Sequence, residues 1–383
     1  MLGVPSRPIN VGYRFIYMVM ALFVIVVELP RVRTKRFNVG LLWLSVFWLI
    51  YVGRIVYDLF YLGISQGFAS RGGIFFLQYG VGGCYLPALA AGLSIAIVKP
   101  RTLVKWLTAG FVMSCCSCLV YIIYEHGLTI ELFYQRVALG EESVISPIIL
   151  SQTGGGLIIL AVGSSLIKPM GPIAYLCTIL GLVPMVMGAS RGPALVTVVI
   201  LLLIGWQHFL ARYDAAKFWG AFLMTVVLFA VAWFKFILPN LEEFTFLSRI
   251  TDTINEGQGL SDRSMQWESA WNQFLQNPVL GDKIIENYYS FYPHNLVLEV
   301  LMATGIVGFF CFMLFLLHGL LKYFNRTSYD AAWRPVMLLG LGFFGYSIVS
   351  SALITLVQFW VLFGAMCGLQ RVVPLRDSIY DHV

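Results

Sequence analysis

The chain has 383 residues, of which 59% are hydrophobic and only 11% are charged, and its mean hydropathy is +0.82. Soluble domains carry about 25% charged residues, so this composition excludes an ordinary soluble protein and indicates membrane-spanning segments of roughly 20 residues. The net charge is +6, but the basic residues lie in short clusters between apolar runs, which argues against a nucleic-acid partner and is typical of topology signals.

Apolar runs predict an all-α transmembrane bundle with about 11–12 crossings. In chain order the runs lie at 15–30, 38–53, 74–98, 106–124, 145–167, 170–189, 193–208, 218–239, 294–320, 335–354 and 356–370. No cleavage pattern of small residues follows the first run, so we expect no cleavable signal peptide. The predicted parts are transmembrane helices in 1–239, a loop in 240–293, transmembrane helices in 294–371 and a tail in 372–383.

The placement of Lys and Arg predicts the orientation. Basic residues mark the connections at 31–36, 99–105, 209–217 and 322–334, whereas acidic residues mark the alternate connections. Basic connections stay in the cytoplasm, so we expect the C-terminal tail inside and the 240–293 loop outside. Glu28 in the first apolar run and Arg54 just after the second are candidate midplane charges, and the sequence shows no partner for either.

The 240–293 loop contains a predicted helix. Ser261 or Asp262 can cap a helix that runs to Asn277, ahead of Pro278. Along it Trp267, Trp271 and Phe274 recur at helical spacing, which predicts an aromatic face lying on lipid or on the rim of the bundle.

Among the histidines, only His126 and His294 are expected on the outer side. His294 follows Pro293 where the loop ends and a helix begins, and an imidazole beside a helix N-terminus has a lowered pKa, so it can act as a base near neutral pH. The alternative is a histidine that caps its own helix and hydrogen-bonds to the loop.

Four arginines are candidates for anion binding on the outer side. Arg191 lies in a break between two apolar runs, with Gly192 freeing the turn and Pro193 suited to the first position of the next helix. Backbone N–H groups and a guanidinium can hold a phosphate there. Arg263 has the same setting at the start of the loop helix, and Arg136 and Arg249 are further outer-face candidates. Each has an alternative as an interfacial anchor.

Several chemistries lack their motif. The chain has no P-loop, no outer Asp-x-Asp pair, no histidine pair with metal-ligand spacing and no Gly-x-Ser-x-Gly turn, so we expect neither a metal nor a cofactor. The seven cysteines all lie in apolar runs, and Cys115-Cys116-x-Cys118 has the wrong spacing for zinc. One base with several arginines suits attack of a hydroxyl on a sugar whose leaving group is a diphosphate.

Three pieces of the chain resemble the O-antigen ligase and O-antigen polymerase family of bacterial membrane glycosyltransferases. They are Gly188-Ala189-Ser190-Arg191-Gly192; Ser261 to Trp267 followed by Asn277-Pro278-Val279-Leu280-Gly281; and Pro293-His294-Asn295-Leu296 followed by Leu298-Glu299 and Gly305-Ile306-Val307-Gly308. All three lie within 181–320.

The resemblance implies a GT-C-like helical fold in the bacterial inner membrane, with a periplasmic site for an undecaprenyl-diphosphate-linked oligosaccharide. It implies metal-independent, inverting transfer to a glycan or a lipid A-core acceptor, with a chain-length regulator as a further candidate partner beside membrane lipids. His294 then resembles the general base, Arg191 and Arg263 resemble the diphosphate binders, and Asn295 joins the substrate-binding set.

Two functional questions stay open in the sequence. The shared motifs serve polymerase and ligase alike, and only the compact loop favours polymerase slightly. The alternative class is a permease or flippase for a lipid-linked glycan precursor, but transporters tend to show paired broken helices in two related halves, and only the break at Arg191 is visible.

Overall fold

The computed structural model describes residues 6–32, 38–127, 146–188, 190–211, 261–325, 330–350 and 352–369. Throughout these ranges the regular structure is helical, without strands. The α-helices are α1 Ser6–Val32, α2 Val39–Val56, α3 Gly73–Leu77, α4 Leu86–Ser94, α5 Pro100–His126, α6 Pro147–Gly163, α7 Pro172–Met187, α8 Arg191–Ala211, α9 Ser261–Gln276, α10 Leu296–Phe324, α11 Arg334–Ser350 and α12 Val357–Gly368.

Short stretches of other helix types extend these elements. A π-helical turn, Tyr57–Tyr61, continues α2, and another, Gln78–Tyr85, joins α3 to α4 into one long rod. Short 3-10 helices lie at Gly67–Arg71, Ile95–Ile97, Ser164–Leu166, Ala331–Trp333 and Leu353–Thr355.

The predicted membrane bundle is confirmed for the described part of the chain. Seven helical segments there are long and apolar enough to cross a membrane, and three shorter apolar helices correspond to further predicted runs. The one remaining predicted run, 218–239, lies outside the described residues. The chain is therefore a multi-pass, all-α membrane protein.

Local sequence explains where several helices begin. Pro100, Pro147 and Pro172 occupy the first turns of α5, α6 and α7, where a missing N–H costs nothing. Asn38 and Asn295 cap α2 and α10 by accepting N–H groups of the first turn on their side-chain oxygens. Pro and Asn residues therefore define the N-termini of these five helices.

The core combines an aromatic cluster with close helix contacts. Phe47, Trp48, Phe312 and Trp360 are almost fully buried, and the ring centroids of Phe47 and Phe312 are 5.3 Å apart. Between α6 and α7, a Cβ atom at Gly154 would collide with the backbone of α7. Small residues of this kind let membrane helices approach closely, so these helices form a rigid scaffold.

Long-range contacts divide the bundle into two ends. At the site end, residues 58–72, 190–192, 261–295, 349–350 and 352–353 meet, as shown by the hydrogen bonds from Ile284 N–H to Asp58 and from Arg263 to Val349. At the basic end, residues 38–40, 95–105, 163–168, 207–208, 318–325, 330–334 and 366–369 meet, as shown by the bonds from Asn38 to Cys367 and from Lys322 to Leu369. For the connections that lie within the described residues, this grouping agrees with the alternation of acidic and basic connections predicted from the sequence.

Helix α10 is interrupted near the site end, and the loop after α9 fills the interruption. Gly305 has φ 60° and ψ −162°, a backbone conformation that is essentially restricted to glycine. The N–H groups of Ile306 and Val307 donate to the carbonyls of Pro278 and Val279, and the N–H of Asp282 donates to the carbonyl of Met302. Backbone groups freed by the break are thus satisfied by residues 278–282, which we call the plug.

The plug is held from the other side by Arg54. Its guanidinium donates to the carbonyls of Leu280, Gly281 and Asp282 at 3.0, 2.8 and 2.6 Å, and it pairs with buried Asp58 at 3.3 Å. Arg54, for which the sequence shows no partner, is therefore fully engaged in the structure. It lies at the site end, where α2 turns π-helical, and it positions the backbone that leads towards His294.

Candidate active site

The segment between the plug and α10 is organised around one buried carboxylate. Glu286 accepts the N–H groups of Tyr288 and Tyr289 at 2.6 Å and that of Phe291 at 3.4 Å, and its own N–H donates to the Phe291 carbonyl. Ser290, inside this turn, takes a positive φ of 55°. Glu286 therefore fixes a tight turn immediately before His294.

His294 lies at the end of this turn in a strained and partly buried position. Its φ is 53°, in the left-handed region that a residue with a Cβ seldom adopts. The imidazole contacts the rings of Tyr292 and Phe291, with centroids 4.5 and 5.6 Å away. Its Nδ1 is buried and has no hydrogen-bond partner within the described residues. A buried polar atom without a partner is rare in folded proteins and is a feature of functional sites.

The cap of α10 is Asn295 rather than His294. The Asn295 side-chain oxygen accepts the N–H groups of Val297 and Leu298 at 3.0 and 3.2 Å. The alternative in which His294 caps its own helix is therefore not what the structure shows. That oxygen already has two donors, and the assignment of Asn295 to substrate binding stays a prediction.

Burial and a neighbouring cation keep His294 neutral. Removal from water and, as a smaller cause, the positive charge of Arg263 together lower the pKa of His294 to about 4. At neutral pH the imidazole is therefore uncharged and can accept a proton. The pKa effect also places Arg263 within electrostatic reach of His294.

Arg263 and Trp267 bring α9 against residues 286–295, which we call the histidine segment. Arg263 Nη1 donates to the Val349 carbonyl of α11 at 3.1 Å, and one turn later Trp267 Nε1 donates to the Pro293 carbonyl at 2.9 Å. Trp267 is thus turned inward, whereas Trp271 is 44% exposed and contacts Phe274 at 5.2 Å. The predicted aromatic face is therefore split between an inward anchor and an outward pair.

Arg191 reaches the same neighbourhood from α8. The helix begins at Arg191 rather than at Pro193, so Pro193 is its third residue, still within the first turn. A Cβ on Gly192 would lie 2.8 Å from the Val349 side chain, and the Val349 carbonyl is the acceptor for Arg263. The start of α8, the start of α9 and the end of α11 therefore converge, and the structure brings Arg191, Arg263 and His294 to one end of the bundle.

Two of the predicted arginines, Arg136 and Arg249, lie outside the described residues. Their assignment to the substrate stays a prediction.

Sequence reasoning missed a further basic residue at this end, Arg71. The turn Gly67–Arg71 docks on the histidine segment: Phe68 N–H donates to the Ser290 carbonyl at 2.9 Å, and the Phe68 ring lies 5.0 Å from that of Tyr292. Burial and, as a smaller cause, the charge of Glu299 raise the pKa of Tyr292 to about 12, and nearby Arg71 opposes the effect. A signal was available, because Arg71 is the one basic residue between Arg54 and Lys99.

Sequence reasoning also missed the role of Glu299, although its motif was noted. Its carboxylate, 2% exposed, accepts the Leu353 N–H at 2.9 Å, and it is hydrogen-bonded to buried Tyr51. Glu299 thereby connects the first turn of α10 to Leu353, which follows α11, and to Tyr51 of α2.

Part of the chain matches a known protein family. The model of the O-antigen ligase family matches residues 176–282. The chain is similar to O-antigen ligases. This confirms the family resemblance inferred from the motifs and supports a general function of the O-antigen ligase or polymerase type, which is a glycosyltransferase-type activity. No curated protein matches the chain.

The segment similar to O-antigen ligases contains only part of the site. It includes Arg191, Arg263 and the plug, whereas His294 lies beyond its end at residue 282. The structure connects the matched segment to His294. Trp267, inside the matched segment, donates a hydrogen bond to the Pro293 carbonyl, and the charge of Arg263, also inside it, lowers the pKa of His294.

Proposed function

We propose that this protein transfers a glycan from undecaprenyl diphosphate to an acceptor hydroxyl at the periplasmic face of the bacterial inner membrane. In this proposal His294 is the general base, and Arg191 and Arg263 bind the diphosphate. The observation that carries the proposal is the partly buried imidazole of His294, whose Nδ1 has no hydrogen-bond partner within the described residues, at the end of the bundle where Arg191 and Arg263 also lie.

The proposed reaction is a single displacement. The acceptor O–H gives its proton to the imidazole of His294 while its oxygen bonds to the anomeric carbon of the donor sugar. The bond from that carbon to the diphosphate breaks, and the diphosphate leaves with the electron pair. A displacement of this kind inverts the anomeric centre.

The arginines stabilise the leaving group. A guanidinium offers a fixed fork of N–H donors that matches phosphate oxygens, and such charge-assisted hydrogen bonds strengthen as negative charge develops. We assign no metal to this step, because the chain has no outer Asp-x-Asp pair.

Substrate binding also improves the base. Arg263 lowers the pKa of His294, and a bound diphosphate would offset that positive charge. The pKa of His294 then rises towards neutrality, where a general base is most effective. The imidazole is thus a weak base in the free protein and a stronger one once the donor is bound.

Charge distribution supports the proposed orientation. The basic end carries Lys99, Arg101, Lys105, Lys322 and Arg334, whereas the proposed active site is at the opposite end. Basic connections stay in the cytoplasm, so the site end would face the periplasm. The proposed division at 1–239, 240–293, 294–371 and 372–383 follows from the same orientation.

The test is transfer by purified protein in liposomes supplied with an undecaprenyl-diphosphate-linked repeat unit. We expect His294→Ala to lose transfer by about a hundredfold to ten-thousandfold, the contribution of a general base. The matched control is His208→Ala, because His208 is bonded to Ser165 at the basic end and we expect it to be dispensable for transfer. Full activity in His294→Ala would exclude the base assignment.

The same assay separates the two transferase types. Multimers formed from the lipid-linked repeat unit alone would identify a polymerase, the slightly favoured reading, and transfer only when lipid A-core is present would identify a ligase. Movement of the lipid-linked glycan across the bilayer without a new glycosidic bond would contradict both and favour a flippase.

A further inference from the structure

Arg71 is an exposed cation that aromatic rings hold in place. Its guanidinium carbon lies 5.3 Å from the ring centre of Phe68 and 5.1 Å from that of Phe75. Within the described residues no carboxylate forms an ion pair with it. Two rings therefore orient a planar guanidinium whose hydrogen-bond donors remain available to an anion.

The position of Arg71 is rigidly tied to His294. Gly67, at the start of its turn, has a φ of 53° and packs so closely that a Cβ would collide with the Ser290 carbonyl. The Phe68 ring stacks edge-on against Phe291 and Tyr292, and Tyr292 in turn contacts His294. Arg71 thus lies beside Tyr292 just before α3, whereas Arg263 reaches the histidine segment from α9.

The surface beside Arg71 is apolar and open. Ile74, the second residue of the following membrane span, is 78% exposed, and Phe60 is 60% exposed. Gly73 lies directly against the Phe60 ring, so these side chains form one continuous surface. A cation above an exposed apolar surface at the start of a membrane span suits an amphiphile with an anionic head and a hydrocarbon tail.

We propose that Arg71 binds the diphosphate of the acceptor, which is a second polyprenyl-diphosphate-linked glycan. This inference rests on the proposed function and narrows it to a polymerase. Arg191 and Arg263 hold the donor diphosphate, Arg71 holds that of the acceptor, and His294 lies where the glycans meet. In the transfer only the bond from donor sugar to donor diphosphate breaks, while the acceptor keeps its own diphosphate and leaves as the lengthened product.

The direct test measures binding of undecaprenyl diphosphate to the purified full chain by native mass spectrometry. We expect two bound molecules in the wild type and one in Arg71→Gln, with the second bound about tenfold to a hundredfold more weakly. Lys283→Gln is the matched control, because Lys283 is a site-end cation that contacts Asn287 rather than the aromatic rings, and it should retain two. Unchanged binding in Arg71→Gln would overturn the inference.

A competition arm separates the polyprenyl diphosphate from ordinary membrane lipid. Excess phosphatidylglycerol should leave the Arg71-dependent molecule bound, because a single phosphodiester offers fewer charges to the guanidinium. Equal displacement by phosphatidylglycerol would show a general lipid contact and would overturn the inference.

Kinetics distinguishes failure of this inference from failure of the proposed function. In Arg71→Gln we expect the KM for the acceptor to rise by about tenfold, the KM for the donor to stay unchanged, and Arg71→Lys to recover part of the loss. Transfer by the wild type with an unaltered acceptor KM in Arg71→Gln would overturn the subsite alone. Two bound lipids in a wild type that forms no glycosidic bond, with one lost in Arg71→Gln, would overturn the transferase proposal and with it the acceptor role, and would leave Arg71 as a polyprenyl-diphosphate contact.

Discussion

The two ends of the bundle use similar hydrogen bonds for different purposes. At the basic end polar side chains close the gaps between helix ends: Asn38 donates to the Cys367 carbonyl, Lys322 donates to the Leu369 carbonyl, and Ser165 bonds to His208. At the site end Arg54 binds three plug carbonyls in the same manner. Capping of loose carbonyls by distant side chains is therefore common to both ends.

The site end differs because the strain there is concentrated in one segment. Ser290 and His294 have positive φ angles, and each such residue costs about 1–3 kcal/mol. The buried Nδ1 of His294 adds an unsatisfied polar atom within the described residues. The comparison teaches that the plug, Glu286 and Arg54 do more than connect helices: they hold a segment in a conformation that it would not adopt alone.

The largest effect should come from Gly305→Ala. Alanine cannot adopt the Gly305 backbone conformation readily, and its Cβ would collide with the Val279 carbonyl in the plug. We expect loss of monodisperse protein in size-exclusion chromatography and of transfer activity. Gly110→Ala is the control, because a Cβ there meets only open space. A Gly305→Ala protein with wild-type yield and melting temperature would contradict the plug as a requirement of the fold.

An intermediate effect should come from Arg54→Gln. This change removes hydrogen bonds to three plug carbonyls and an ion pair with Asp58, so we expect transfer to fall by about tenfold to a hundredfold. Asn38→Ala is the matching change at the basic end, where loss of a helix cap should cost about 1 kcal/mol of stability and leave the transfer rate near wild type. Equal losses of transfer activity in Arg54→Gln and Asn38→Ala would contradict the claim that only the site end positions the catalytic residues.

The smallest change should be a shift in the pH profile of Arg263→Gln, which is measured separately from the loss of transfer expected when a proposed diphosphate ligand is removed. His294 must be neutral to accept a proton, so kcat/KM should fall as the pH falls through the pKa of the free protein, about 4. Removing the positive charge of Arg263 favours the imidazolium and raises that pKa. We therefore expect the acidic limb, normalised to each variant's maximum, to move to higher pH. The shift should be partial because burial is the larger cause, and an unmoved limb would separate Arg263 from His294.

Much of the fold could be predicted because its signals are local. Apolar runs and Lys and Arg placement predicted ten described helices and the grouping of their ends, and Pro, Gly and Arg motifs led to Arg191 and Arg263. The start of α8 was placed two residues late, since Pro193 is equally at home anywhere in a first turn.

The missed features all depend on contacts between distant parts of the chain. The break at Gly305 is stable only because the plug supplies carbonyls from residues 278 and 279, and no local pattern shows that pairing. Three acceptors of Arg54, the plug carbonyls, lie more than 220 residues away in the sequence, so no local pattern shows that Arg54 holds the plug. Arg71 was overlooked because its importance comes from rings and from a segment that are remote in sequence.

The broken helix also bears on how the chain is assembled as it leaves the ribosome. Gly305 follows nine residues of α10, about 14 Å along the rod, and open peptide groups at such a depth are costly in lipid. The plug precedes α10 in the sequence, so its carbonyls are already synthesised when the interrupted rod enters the bilayer. Because the plug is synthesised before α10, its carbonyls can accept the N–H groups of Ile306 and Val307 as soon as the interrupted helix enters the bilayer.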